Sequence, residues 1–129
     1  MLVHGILNPN ILSLLARVRH TNMLVIADRG FPSWPMIETV DISLVDNVPT
    51  VLQVVTAVRQ NFVVAEAWMA EEFLQVNSPA MRKAFAAGLK GANRLFEPHA
   101  RLKQRVPAAI GLIRTGDTMP FANVILISG

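Results

Sequence analysis

No cysteine and no tyrosine occur among the 129 residues. Without cysteine there is no disulfide, no thiolate nucleophile and no sulfur-bound metal. Charge is scarce as well. Asp, Glu, Lys and Arg make up 16% of the chain, against about 25% in an ordinary soluble domain. Long apolar runs are missing too. Leu24–Ala27 ends at Asp28-Arg29, and nothing approaches the roughly 20 apolar residues in a row that a spanning helix needs. No membrane partner is therefore expected. The start, Met1-Leu2-Val3-His4-Gly5, lacks a basic stretch followed by a long apolar one. That argues against a secretory signal and makes the cytoplasm the expected compartment. A glycine-rich phosphate loop and a Gly-x-Ser-x-Gly elbow are both absent, which excludes the nucleotide and hydrolase chemistries they support. The three histidines, His4, His20 and His99, form no pair with the spacing of a helical metal motif. Neither a metal nor a cofactor is expected.

What is present is apolar: 52% of the residues are hydrophobic, which excludes disorder. The length fits one domain, residues 1–129, with a core of useful size. Such a chain has too little charge to cover its own surface, so part of that surface is expected to be buried in a homo-oligomer. Net charge is +3, from 12 Lys+Arg and 9 Asp+Glu, and the sequence pI is about 10.2. The basic residues are scattered, and only Arg101–Lys103–Arg105 is locally dense. A solvated helix face explains that cluster, so no nucleic-acid partner is expected.

The apolar residues are spaced to give alternating helices and strands. Asn8-Pro9 reads as a capped helix start, and Ile11, Leu12, Leu14, Leu15 and Val18 continue an apolar stripe to about Arg19. Met23–Ala27 is a short continuous apolar run, as in a strand buried on both faces. Arg29–Pro35, with one Gly and two Pro, is a shaped loop. Strands are expected at Val40–Val45, Phe62–Ala70, Arg94–Phe96, Ala108–Ile113 and Asn123–Ile127. Helices are expected from Thr50 to Gln60, from Ser78-Pro79 onward and over Pro98–Arg105. The alternation implies an α/β layered fold. No helix lies between the last two strands, so they are expected to run antiparallel in a mixed sheet.

Five places carry polar or aromatic groups suited to a site. His20 follows a helix, whose C-terminal end favours imidazolium; it is either a proton donor near neutral pH or a cap on the last carbonyls. Asp28 ends a buried strand, where α/β sheets bind ligands; it either receives hydrogen bonds from a polyol or caps its loop. His99 opens a short helix, as a ligand contact or an exposed surface histidine. Asn123 offers both donor and acceptor atoms for sugar hydroxyls, or serves a turn. Trp34 either stacks on a sugar or covers a core edge.

Together the segments resemble the RbsD/FucU family. The stretches that carry the resemblance are His4–Asn8, Arg19-His20-Thr21, Leu24–Asp28 with Gly30 and Pro32, Val40–Leu44, Ala70-Glu71-Glu72, Ile113–Asp117 and Pro120–Leu126. They span nearly the whole chain in order; Ser78–Arg105 is less alike. The resemblance implies a three-layer α/β/α fold with a mixed, mostly parallel sheet. It implies cofactor-free interconversion of sugar ring forms: β-D-ribopyranose with β-D-ribofuranose in the ribose branch, which this chain resembles most, and anomers of fucose in the other. A non-catalytic sugar-binding accessory of sugar uptake is the other function this implies. Within the resemblance His20 is the catalytic proton donor, Asp28 and His99 bind sugar, and Phe121-Ala122-Asn123 stands where the family has Tyr-Ala-Asn. Phe121 therefore lacks the family's phenol, and Arg29 stands where a small residue is usual. The family's assemblies, commonly decamers of two stacked pentamers, make a decamer with a monosaccharide substrate the expected partners. One geometric point is independent of family. His20 precedes the Met23–Ala27 strand and Asp28 follows it, so roughly 16 Å separates them. A site using both would be shared between neighbouring subunits.

Overall fold

The computed structural model describes residues 1–129. Its helices begin where side chains can occupy the free N–H groups of a first turn. Asn8 caps α1 (Pro9–Ala16): its Oδ1 accepts from the N–H groups of Asn10 at 2.9 Å and Ile11 at 3.0 Å. Helix α2 (Val51–Arg59) opens on a reciprocal capping box between Thr50 and Gln53. A short α3 (Glu71–Val76) follows its strand with no side-chain cap at Ala70. In α4 (Pro79–Gly88) Ser78 Oγ accepts from the Met81 N–H at 3.2 Å, and Pro79 fills the first turn. Helix α5 (His99–Arg105) runs into a 3-10 turn at Val106–Ala108.

The strands are β1 (Met23–Ala27), β2 (Glu38–Asp41), β3 (Val64–Ala70), β4 (Asn93–Glu97), β5 (Gly111–Arg114) and β6 (Val124–Ser128). They form one sheet in the order β2-β5-β1-β6-β3-β4. The β1–β5, β2–β5 and β3–β4 pairs are parallel, whereas β6 runs antiparallel to both of its neighbours, β1 and β3. Five strands therefore point one way and β6 the other. The expected mixed, mostly parallel sheet is borne out. β5 and β6 do run in opposite directions, but β1 lies between them.

Both faces of the sheet are covered. Along β1, Leu24 and Ile26 pack with α1, α2, α3 and α4 through Leu14, Val55, Phe73 and Phe85. Val25 and Ala27 face the other way, onto Phe31, Leu102, Val106 and Ile125. This explains the unbroken apolar run, since both faces of β1 are interior. Each fully buried Val, Leu, Ile or Phe among them contributes about 1.5–3 kcal/mol. Several exposed apolar residues remain outside these cores, among them Leu2, Val3, Leu7, Leu44, Val45 and Val63. No helix is long and apolar enough to cross a membrane.

Several boundaries differ from the sequence reading, three of them by three residues or more. The second strand is Glu38–Asp41 rather than Val40–Val45, because Leu44–Val48 closes a tight turn with the Leu44 N–H on Val48 O. Ala108 belongs to the 3-10 turn, which Pro107 favours, so β5 starts at Gly111. The first helix stops at Ala16, short of Arg19. Helix α3 was not foreseen.

Candidate functional site

Because β6 opposes the other five strands, the start of β6 and the carboxyl ends of β1, β3 and β4 lie at the same sheet edge. In open α/β sheets this edge is where ligands bind. Asp28 follows β1, His99 opens α5 with only Pro98 between it and β4, and Phe121-Ala122-Asn123 leads into β6. Asn123 is 2% exposed, and its Oδ1 accepts from the Asp28 N–H at 2.7 Å. That bond orients the carboxamide and leaves its NH2 as a donor. One oxygen of Asp28, Oδ1, accepts from the Gly30 N–H at 2.9 Å, which turns the chain into the loop. Its second oxygen, Oδ2, makes no bond to the chain.

Phe121 has φ +57, a left-handed conformation costly for a residue with a Cβ. Its ring meets His99 edge-on, with centroids 5.2 Å apart and planes at 76°. His99 Nδ1 is buried without a hydrogen-bond partner. Phe121 and Asn123 thus join His99 and Asp28 into one group: a carboxylate, a carboxamide donor, an imidazole and an aromatic wall. Hydrogen bonding to several hydroxyls beside an apolar face is the chemistry of a monosaccharide site.

Next to Asp28 lies a polar network, buried at Thr115 and Asp117 and more open at Arg114 and Asp41. Thr115 Oγ1 donates to Ala27 O at 2.8 Å. The buried Asp117 carboxylate accepts from the N–H groups of Val51 at 2.9 Å and Met119 at 2.8 Å. Arg114 donates to the Phe31 carbonyl at 3.2 and 3.0 Å, to Ser33 Oγ at 3.1 Å and to Asp41 at 3.0 Å. The loop after Asp28 is clamped by these bonds. A hydrogen bond from Ser43, with smaller help from the Arg114 guanidinium, lowers the Asp41 pKa below the ordinary carboxylate value. Trp34 is half-buried against the second core, as cover for its edge. Arg29 turns away from Asp28 and pairs with Asp46 at 2.7 Å.

His20 is elsewhere. It is exposed at the opposite end of β1, where the Thr21 N–H bonds Ser128 O at 3.0 Å. The carbonyls ending α1 are taken by Arg17, which donates to Ser13 O, and by Arg19, which donates to Ala16 O and Val18 O. His20 is therefore not their cap. The structure brings Asp28, His99, Phe121 and Asn123 to one edge and leaves His20 a strand's length away. The largest concavity, about 520 Å³, is not this site either. It runs along α5 between Trp68, Glu97 and Arg101, where Glu97 and Arg105 pair and the Arg105 guanidinium stacks 3.8 Å from the Trp68 ring centroid.

The RbsD / FucU transport protein family matches residues 1–129. The chain belongs to that family. D-ribose pyranase of Chromobacterium violaceum is a relative of this RbsD/FucU chain, 41% identical over 126 residues that cover 98% of this chain and 96% of the relative. D-ribose pyranase of Laribacter hongkongensis is 38% identical over 126 residues, covering 98% and 95%. Among solved structures, RbsD of Bacillus subtilis complexed with D-ribose superposes with a TM-score of 0.91 at 29% identity, over 100% of this chain and 98% of that one. The Streptococcus pneumoniae fucose mutarotase in complex with L-fucose has the same fold, with a TM-score of 0.79 at 16% identity over 95% and 92% of the two chains. The RbsD/FucU resemblance read from the sequence is thereby borne out. Two residues beside the site have no role assigned from sequence, Glu72, which lies in a stretch that carries the family resemblance, and Asn77, because each acts on a residue far along the chain.

Proposed function

We propose that the protein is a sugar ring-form isomerase that interconverts β-D-ribopyranose and β-D-ribofuranose. The observation that carries this reading is the convergence of Asp28, Asn123, Phe121 and His99 at one sheet edge, in a chain alike along its whole length to D-ribose pyranases. Ring exchange needs a proton delivered to the ring oxygen and one removed from the anomeric hydroxyl. The bond from C1 to the ring oxygen then breaks, giving an aldehyde and a free hydroxyl. After rotation about the next bond, the 4-hydroxyl attacks C1, its proton leaves, and the new anomeric oxygen is protonated. Protons are conserved around the cycle, and the side chains return to their starting state.

In this reading His20 gives the first proton, Asp28 and His99 orient hydroxyls and one of the two accepts the anomeric proton, and the Asn123 NH2 and Ala122 backbone hold the sugar. Since His20 and Asp28 sit at opposite ends of β1, the His20 that serves a given Asp28 belongs to a neighbouring copy. The exposed apolar residues supply a surface for that contact, and a decamer in the cytoplasm belongs to the same reading. The test is exchange NMR across a panel of aldoses. Accelerated pyranose–furanose exchange of ribose, lost in His20→Ala, is the expected result. Acceleration confined to fucose anomers would assign the fucose-type activity, and saturation transfer without exchange would assign a non-catalytic sugar-binding accessory.

A further inference from the structure

We propose that α3 is the positioning element of this site, with Glu72 and Asn77 as its positioning residues; the inference rests on the sugar-site reading above. Helix α3 is fixed to the core by Phe73, which is fully buried with its ring centroid 4.8 Å from that of Phe85. From this anchor two polar arms reach out in opposite chain directions. Both carboxylate oxygens of Glu72 accept from the His99 backbone N–H, at 3.1 and 3.2 Å. His99 is the first residue of α5, and Pro98 before it provides no side-chain cap. The start of α5 therefore takes its acceptor from a residue 27 positions away, and a carboxylate is the group a helix start favours.

At the other end of α3, Asn77 Nδ2 donates to Pro120 O at 3.0 Å and to Phe73 O at 3.2 Å. Pro120 O belongs to the peptide that enters the left-handed Phe121. The two arms thus end on adjacent groups, since the rings of His99 and Phe121 meet edge-on. His99 Nδ1 has no hydrogen-bond partner in the chain. Its ring is consequently held by its backbone on one side and by Phe121 on the other, and α3 sets both. The carboxylate of Glu72 does not touch the sugar in this scheme, and neither does Asn77.

The test compares Glu72→Ala, Glu72→Gln, Asn77→Ala and the double alanine variant in the full-length protein. Glutamine keeps an acceptor oxygen for the His99 N–H. Glu72→Ala is expected to lower kcat/KM for ribose exchange about tenfold, as a displaced site group does, and Glu72→Gln to restore most of it. Asn77→Ala acts in the same direction, and the double variant loses less than the product of the two, because both arms hold one ring pair. A second readout is independent of activity. The carbon-bound protons of the His99 ring lie within the ring current of Phe121, so their NMR shifts move in Glu72→Ala and Asn77→Ala but not in Glu72→Gln. Unmoved His99 resonances in folded Glu72→Ala, unchanged kcat/KM in it, or Glu72→Gln as impaired as Glu72→Ala would each overturn the proposal. If the unmutated protein exchanges no sugar, the enzyme reading falls, and the ring shifts alone decide whether α3 positions His99.

Discussion

Replacing Asn123 by alanine removes one hydrogen bond from a place where two requirements meet. Asn123 Oδ1 is the acceptor for the Asp28 N–H at 2.7 Å, and the side chain is buried. Alanine leaves that N–H without an acceptor where β1 ends, a cost of about 1–3 kcal/mol. At about 2.1 cal/mol/K per residue, a 129-residue chain has an unfolding entropy of about 0.27 kcal/mol/K. A loss of 2 kcal/mol then lowers the melting temperature by about 7 °C. Thermal unfolding followed by circular dichroism measures it, at one protomer concentration so that self-association does not enter the difference. Function should fall more steeply than stability. The same substitution deletes the NH2 offered to the sugar and frees the Asp28 backbone, so kcat/KM for ribose exchange is expected to drop by about 10- to 100-fold at a temperature where the variant is folded. A variant that melts within about 1 °C of the parent and exchanges ribose at the parent rate would refute the argument that this bond organises the site.

Mixing His20→Ala with Asp28→Ala chains, after dissociation and reassembly, should return part of the activity each lacks alone; exchange NMR showing none would place both groups in one protomer's site. Phe121→Tyr adds a hydroxyl beside His99 where the family has tyrosine, and should raise the ribose exchange rate with little change in melting temperature. The Asp41 carboxyl titrates below its ordinary value because Ser43, and to a lesser degree Arg114, favour its charged form. A depressed folded-state pKa adds stability above the unfolded value near 3.8, and that stability is lost as pH falls through the lower folded value. Asp41→Asn should therefore flatten the pH dependence of the melting temperature below about pH 4, and an unchanged acid limb would contradict the assignment.

The elements that could be read from sequence are those whose cause is local. Asn8-Pro9, Thr50 with Gln53, and Ser78-Pro79 carry their capping chemistry within four residues, and each opens a helix as expected. β1 was recognisable because both its faces are interior. Helix α3 carries no such signal. It begins on Ala70 without a cap, runs six residues, and puts its first-turn acid to work on another helix. The site divides along the same line. Asp28 and Asn123 were suspect from their positions at strand ends, but their mutual bond depends on β1 and β6 pairing antiparallel across 95 residues. Glu72 and Asn77 act over 27 and 43 residues, on backbone atoms whose placement only the folded sheet determines.

The place of β6 also bears on how the chain comes to be folded. As the polypeptide is made, β1 to β5 emerge first, and they can pair only as two separate ribbons, β2-β5-β1 and β3-β4. The two ribbons share no strand pair, and residues 124–128 lie between them and supply ladder bonds to both sides. Before β6 is in place β1 and β3 each present an open inner edge lined by apolar residues, the kind of surface that draws in foreign strands. Closure by β6 seals those edges and, in the same event, carries Asn123 to Asp28. A half-made chain thus has no partly working pocket, and the interval before β6 arrives is when it is most vulnerable to aggregation.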